Sequence, residues 1–126
     1  MPSTNSLPPE SLELLQAISQ CIFDKNGCNI LALDVRAIST MTDCYVIAEG
    51  NVEKHVQAIA RALQEIDGYP VSHIEGYSEG DWVVLDFTDV IVHLFIPELR
   101  EKYALEELWR EAAIIDVPIH LKPAVG

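Results

Sequence analysis

The sequence predicts a single α/β domain with a mixed five-stranded sheet and helices mainly on one face. Three observations support this prediction. The chain has 126 residues, of which 49% are hydrophobic and 22% charged, a composition typical of one globular domain. Two long segments repeat apolar residues at helical spacing, and about five shorter ones are rich in β-branched and aromatic residues. Such helices pack on one side of a sheet.

The first helix begins near Pro8–Pro9, because proline is tolerated in a first helical turn. Asn26–Gly27 supplies its end. Two strands follow, over Asn29–Val35 and Cys44–Gly50, with a hydroxyl-rich loop between them. The apolar residues that recur at helical spacing in the first helix are Leu14, Leu15, Ile18, Cys21 and Ile22.

The second helix begins after Asn51, whose side-chain oxygen is expected to cap it. It ends at Gly68 and Pro70. His55 lies on this helix and is expected to face solvent. One apolar face is formed by Val52, Val56, Ile59, Ala60, Leu63 and Ile66.

The remaining strands are predicted over Val71–Glu75, Trp82–Phe87 and Val90–Ile96. The last two form a hairpin around Thr88–Asp89, where a tight turn fits. Pro97 opens a short helical segment. If the turn has two residues, Val84 lies opposite His93.

A second helical segment follows, and the stretch after it has two prolines and no clear period. The prediction is therefore one domain over residues 1–126, with a core of about 8–112 and tails at 1–7 and 114–126. The apolar positions of the last helical segment are Leu105, Leu108, Trp109 and Ala112. Trp109, at helical spacing from two leucines, is expected in the core.

The charge is strongly negative, with a formal net charge of −12. No Lys or Arg lies between Arg61 and Arg100, a stretch that holds eight acidic residues. Such a surface repels a phosphate backbone, so no direct nucleic-acid binding is expected. Two interpretations stay open: the charge serves solubility, or it attracts a basic protein partner.

Run lengths, the first residues and the cysteine spacing argue against a membrane protein, a secreted protein and a zinc protein. The apolar runs are too short to cross a bilayer, and the first residues do not resemble a signal peptide. A soluble cytoplasmic protein without membrane contact is therefore expected. The three cysteines, Cys21, Cys28 and Cys44, have no common zinc spacing, so we expect two or three core cysteines and neither metal nor cofactor.

The hairpin carries polar residues within an apolar stretch. Because side chains alternate across a strand, its two faces differ. The core face is wholly apolar: Val83, Leu85, Phe87, Val90, Val92, Leu94 and Ile96. The other face is mixed: Trp82, Val84, Asp86, Ile91, His93 and Phe95. Mixed aromatic, aliphatic and charged surface is typical of protein contacts, so this face is the candidate docking surface.

An enzyme is the alternative explanation for these polar residues. The chain has no G-x-S-x-G turn and no glycine-rich phosphate loop. Asp86 and Asp89 flank a turn and are expected to diverge, which does not suit a two-metal site. We therefore expect no catalytic residues. Asp43, after Thr42, is expected to close a loop by bonding local amides and is a weaker site candidate.

Several motifs occur in a specific order: "TDCYVIAEGN", "HVQAIARAL", "EG" at Glu75–Gly76, "WVVLDFTDVIVHLF" and "REKYALEELW". Together they closely resemble the ribosomal silencing factor family, also called the Iojap or RsfS-like family, over about Leu12 to Ala112. The resemblance implies a nucleotidyltransferase-type fold without that chemistry. It implies binding to the large ribosomal subunit at its subunit-facing protein, large-subunit protein fourteen. Blocked joining of the small subunit, lower translation when nutrients are scarce, and possible homodimers are also implied.

Matched by position, the family motifs fall on Thr42–Asp43, Trp82, Asp86 and His93. The last motif falls on Tyr103, Leu105, Glu106 and Trp109. Three departures are visible: Thr88 stands where the family often has glycine, Glu49 where it has a small or hydroxyl residue, and Ala104 where it has aspartate. The expected partner-binding residues are Trp82, Asp86, His93, Asp43, Val84, Ile91 and Phe95. A homodimeric acidic scaffold and a residual nucleotidyltransferase-like enzyme remain the alternatives.

Overall fold

The structure is a computed structural model that describes residues 7–37, 39–103, 113–115 and 117. Within these ranges, no helix is long and apolar enough to cross a membrane. The helices are α1 (Pro9–Asp24), α2 (Glu53–Gln64) and α3 (Pro97–Tyr103). The strands are β1 (Cys28–Asp34), β2 (Cys44–Glu49), β3 (His73–Glu75), β4 (Trp82–Asp86), β5 (Val90–Phe95) and β6 (Ala113–Ile115).

The strands form one mixed sheet in the order β3-β4-β5-β2-β1-β6. β2 and β5 are parallel, and the other neighbours are antiparallel. The predicted single α/β domain is confirmed, but the described part of the sheet has six strands rather than five. The extra strand, β6, pairs with β1 and lies across the start of the expected C-terminal tail. Its three residues are too few to show a strand period, and only pairing with β1 defines it.

The main core lies between one face of the sheet and helices α1 and α2. Ile18 and Ile22 of α1 and Ile59 and Leu63 of α2 are fully buried there. They pack with the apolar face of the hairpin, as predicted; Val83, Leu85, Val90, Val92 and Leu94 are all fully buried. Leu7, just before α1, is also buried in this core.

The start of α2 differs from the prediction. Val52, not Asn51, is the N-cap residue, and no side chain caps it. Nδ1 of His55 instead accepts the Asn51 amide at 2.8 Å, and its Nε2 lies 2.7 Å from the carbonyl oxygen of Lys25. His55 therefore joins the end of α1 to the start of α2 and is not simply a solvent-facing residue.

The opposite face of the sheet carries a smaller apolar cluster. Leu33, Val35, Ile47 and Phe95 are buried in it, and Leu99 of α3 packs against it. Helix α3 therefore covers part of this face, while α1 and α2 cover the other. We call this second face the α3 face.

The hairpin has the predicted register, with Val84 opposite His93. Its turn places Thr88 at a φ of 78°, which is a strained conformation for a β-branched residue. The Thr88 amide donates to Oδ1 of Asp86 at 2.7 Å, and the Asp89 amide donates to the Phe87 carbonyl at 3.0 Å. Asp86 therefore stabilises a turn in which glycine would be unstrained.

Candidate functional site

Strand pairing arranges the side chains of the α3 face in rows. Residues directly opposite each other on neighbouring strands share a face and contact each other. Pairing of β4 with β5 and of β5 with β2 therefore extends the predicted mixed face onto β2. The rows are Trp82, Phe95 and Glu49; Val84, His93 and Ile47; Asp86, Ile91 and Tyr45.

Four rings form the centre of this face, and we call them the aromatic cluster: Tyr45, Trp82, His93 and Phe95. The His93 ring meets Tyr45 edge-on at 5.4 Å between centroids and lies nearly parallel to Phe95 at 6.1 Å. Trp82 lies tilted over Phe95 at 5.1 Å. Such ring pairs contribute about 0.5–1.5 kcal/mol beyond the area they bury. The rings therefore pack against one another across three neighbouring strands.

A hydrogen bond fixes the orientation of Trp82. Its indole Nε1–H donates to Nδ1 of His93 at 3.2 Å. An accepting Nδ1 requires that the proton of the neutral imidazole be on Nε2. Burial lowers the pKa of His93 to about 4, so the ring is neutral at neutral pH and can accept this bond.

Most of the predicted partner-binding residues lie together on this face. Trp82, Val84, Asp86, Ile91 and His93 are each partly exposed, so a partner can reach them. The structure thus brings five of the seven into one surface, which we call the Trp82 surface.

Phe95 needs a correction. It lies on the expected face, but its side chain is fully buried. Trp82 lies over it from one side, and Leu99 of α3 packs in the same cluster. Phe95 therefore supports the aromatic cluster from within, and its predicted contact with a partner stays a prediction. Its full burial was not predicted, because strand alternation shows which face a residue lies on but not what covers it.

Asp43 also lies elsewhere. Its carboxylate accepts a hydrogen bond from the Ser11 hydroxyl of α1 at 3.4 Å. Its amide donates to the Asp89 carbonyl at 3.1 Å, and its own carbonyl accepts the Val35 amide at 2.9 Å. Asp43 does close the loop before β2, but its side chain bonds α1 rather than local amides. It is not part of the Trp82 surface.

Two ion pairs were not predicted from the sequence. Arg36 donates to both carboxylate oxygens of Asp34, at 3.0 and 2.7 Å, and this lowers the pKa of Asp34. Arg100 of α3 pairs with Glu49 of β2 at 3.1 Å. The first pair has a local signal, because its partners are two residues apart. The second has none, since its partners are separated by 51 positions.

The cysteines and acids form no metal centre in the part of the chain that the structure describes, where no group of three or more ligand residues meets. Burial raises the pKa of the Cys44 thiol to about 12, as expected for a core cysteine. Cys21 is partly buried and Cys28 is exposed. The side chain of Tyr103, and Leu105, Glu106 and Trp109, lie outside the described residues.

Comparison with known proteins gives a consistent result. Residues 8–125 match the sequence profile of the family described as "Ribosomal silencing factor during starvation". A Bacillus subtilis protein named ribosomal silencing factor RsfS is 39% identical over 107 residues, covering 82% of this chain and 91% of that protein. A mouse protein named mitochondrial assembly of ribosomal large subunit protein 1 is 33% identical over 91 residues. That match covers 68% of this chain but only 40% of the mouse protein.

A solved structure agrees with the fold. A crystal structure of a Bacillus halodurans protein has a TM-score of 0.72 and 36% identity, over 82% of this chain and 97% of that one. The family match spans nearly the whole chain, and the relatives are similar along most of its length. This chain therefore belongs to the ribosomal silencing factor family.

Proposed function

We propose that this chain binds the large ribosomal subunit at its subunit-facing protein, large-subunit protein fourteen. Bound there, it would block joining of the small subunit and lower translation when nutrients are limiting. It would act in the compartment that holds the ribosomes. The contact would be made by the Trp82 surface.

One observation supports the proposal most directly. Trp82 is a large aromatic residue that is partly exposed and held in one orientation by His93. Tryptophan is enriched among the few residues that dominate binding energies, and a fixed side chain loses little entropy on binding. The aliphatic side chain of Val84 lies in the next row of the same surface, and that of Ile91 in the row after it. This is the composition expected at the centre of a protein interface.

The charge around Trp82 suggests the type of partner. Asp81 precedes it, Glu79 is exposed in the turn before it, and Glu75 of β3 pairs with Val84. Acidic groups at the rim of an interface steer a basic partner and raise the association rate. A basic ribosomal protein fits this surface, whereas bare ribosomal RNA would be repelled. The name of the mouse relative also refers to the large ribosomal subunit.

Sedimentation and subunit joining test the proposal together. The purified protein should co-sediment with free large subunits and be absent from joined ribosomes. Adding it to large subunits before small subunits should lower the yield of joined ribosomes, whereas adding it after joining should have much less effect. Equal amounts on free large subunits and joined ribosomes would contradict the mechanism.

A further inference from the structure

Arg100 anchors helix α3 to the sheet. Its side chain is largely buried, with an exposed fraction of 11%. One guanidinium nitrogen, Nη1, donates to the carbonyl oxygen of Asn29 at 2.7 Å and to Oε2 of Glu49 at 3.1 Å. The helix is therefore tied to both β1 and β2 through a single side chain.

Glu49 completes the arrangement. Its second carboxylate oxygen, Oε1, accepts a hydrogen bond from Nδ2 of Asn29 at 3.1 Å. Asn29 has a φ of 51° and lies where the pairing of β1 with β2 shifts. Asn tolerates this conformation better than most residues. The three residues therefore form one connected group, which we call the Arg100 cluster: Asn29, Glu49 and Arg100.

The Arg100 cluster adjoins the Trp82 surface. Glu49 pairs with Phe95, and Phe95 pairs with Trp82, so all three lie in one row across the sheet. Leu99, next to Arg100 on α3, packs in the cluster that contains Phe95. The position of α3 thus determines how much of the aromatic cluster is covered.

We propose that Glu49 and Arg100 are positioning residues that set the edge of the docking surface. By holding α3 over Phe95, they keep the inner part of the aromatic cluster covered and leave Trp82 accessible beside the helix. The inference rests on the proposed docking function of the Trp82 surface. Neither residue needs to contact the partner.

The energetics favour a specific position for α3. Each charge is largely buried, and removing one partner leaves the other poorly solvated. Without Glu49, the Arg100 charge would draw α3 away from the sheet to reach water. Without Arg100, α3 loses its hydrogen bonds to Asn29 and Glu49, and its displacement would let water reach the Glu49 carboxylate. A change at the Arg100 cluster should therefore displace α3 before it unfolds the main core, which lies on the other side of the sheet.

Three variants test this: Glu49→Gln, Arg100→Met and the double variant. At a temperature well below unfolding, each single variant should bind free large subunits about fivefold or more weakly than the unchanged protein. The double variant should bind no more weakly than the weaker-binding single variant, because the effects of substituting residues that act as one unit are not additive. Arg100→Lys, which keeps the charge, should recover part of the affinity.

Hydrogen exchange supplies a readout of α3 itself. Amides of α3 should exchange faster in Glu49→Gln and Arg100→Met, while those of β4 and β5 should not change. Asp34→Asn is the matched control, because the Asp34–Arg36 ion pair lies at the opposite end of β1 from Asn29. It should lower stability without changing affinity or α3 exchange.

The outcomes distinguish the positioning role of Glu49 and Arg100 from the proposed docking function. Variants that bind as the unchanged protein does, with unchanged α3 exchange, would overturn the positioning role. Faster exchange throughout the sheet would also overturn it, since the pair would then serve global stability alone. If Arg100→Met fails to fold, Glu49→Gln and Arg100→Lys still give the same test. If the unchanged protein does not bind large subunits, the proposed function fails, and α3 exchange alone decides the positioning role.

Discussion

The Trp82 indole donates its N–H to Nδ1 of His93 across the two strands of the hairpin, at 3.2 Å. The bond explains why a chain places an imidazole within its most apolar stretch. A neutral histidine accepts a hydrogen bond from the indole N–H and also stacks on Phe95, which no aliphatic residue could do. His93 therefore orients the residue that we expect to contribute most to docking.

Acid should weaken the fold through His93. Its pKa in the folded protein is about 4, below the ordinary value of 6.5. As the pH falls from 6.5 to 4, the unfolded chain takes up this proton first, so the free energy of unfolding falls. Stability is unaffected above this window and levels off below it. The full loss is roughly 3 kcal/mol, from a shift of about 2.5 pKa units.

The variant His93→Gln isolates this effect. Glutamine can accept the indole N–H but does not titrate, whereas the carboxylates titrate equally in both proteins. Urea denaturation across the window should show that the stability advantage of the unchanged protein shrinks as the pH falls. A constant difference between the two proteins would mean that His93 is not held neutral.

The hairpin turn should gain stability from glycine. Thr88 has a φ of 78°, which glycine adopts without strain, so Thr88→Gly should raise the free energy of unfolding by about 1 kcal/mol. Asp89→Gly is the control at the neighbouring position, where φ is not positive. It should lower stability by roughly 0.5–1 kcal/mol. Thermal melts of both variants measure these changes. A lower melting temperature for Thr88→Gly than for the unchanged protein would contradict the strain argument.

The acidic rim should act mainly on the association rate. Reversing Glu79 and Asp81 to lysine should slow association with large subunits more than it speeds release, and added salt should slow the unchanged protein in the same way. The matched control reverses Glu10 and Glu13, which are exposed on α1 on the other side of the sheet. Stopped-flow measurements compare the two. Equal effects of both reversals would show that only net charge matters.

Much of the fold follows from local patterns. The apolar period placed α1 and α2, and the two-residue turn gave the hairpin its register and its two faces. These features depend on residues close in sequence, so alternation and spacing are sufficient to predict them. The mixed composition of one hairpin face then marked Trp82 and His93 as site candidates.

Tertiary contacts determine the features of the site that local patterns could not predict. Tyr45 joins the aromatic cluster only because β2 runs parallel to β5, a choice that no local signal contains. Phe95 is covered because α3 folds back across the sheet. The Asn51 cap was replaced by a bond to His55, whose second nitrogen meets Lys25 from another helix. The Tyr45–His93 and His55–Lys25 contacts join segments that are distant in sequence, and the turn of α3 back over Phe95 depends on tertiary packing.

The central claim is that Trp82 contributes to docking more than to folding. Trp82→Ala should fold with a modest drop in melting temperature and bind large subunits at least about tenfold more weakly, as expected for an interface anchor worth roughly 2 kcal/mol or more. Leu85 is the matched control, because it lies on the same strand but is fully buried on the other face. Leu85→Ala should lose about 2–5 kcal/mol of stability and, where still folded, keep its affinity.

The decisive measurement is a titration of the unchanged protein, Trp82→Ala and Leu85→Ala against isolated large-subunit protein fourteen, with thermal melts of each. The account predicts a separation of effects: affinity is lost in the tryptophan variant, and stability is lost in the leucine variant. A folded Trp82→Ala protein that binds as tightly as the unchanged one would contradict it and move the contact off this face.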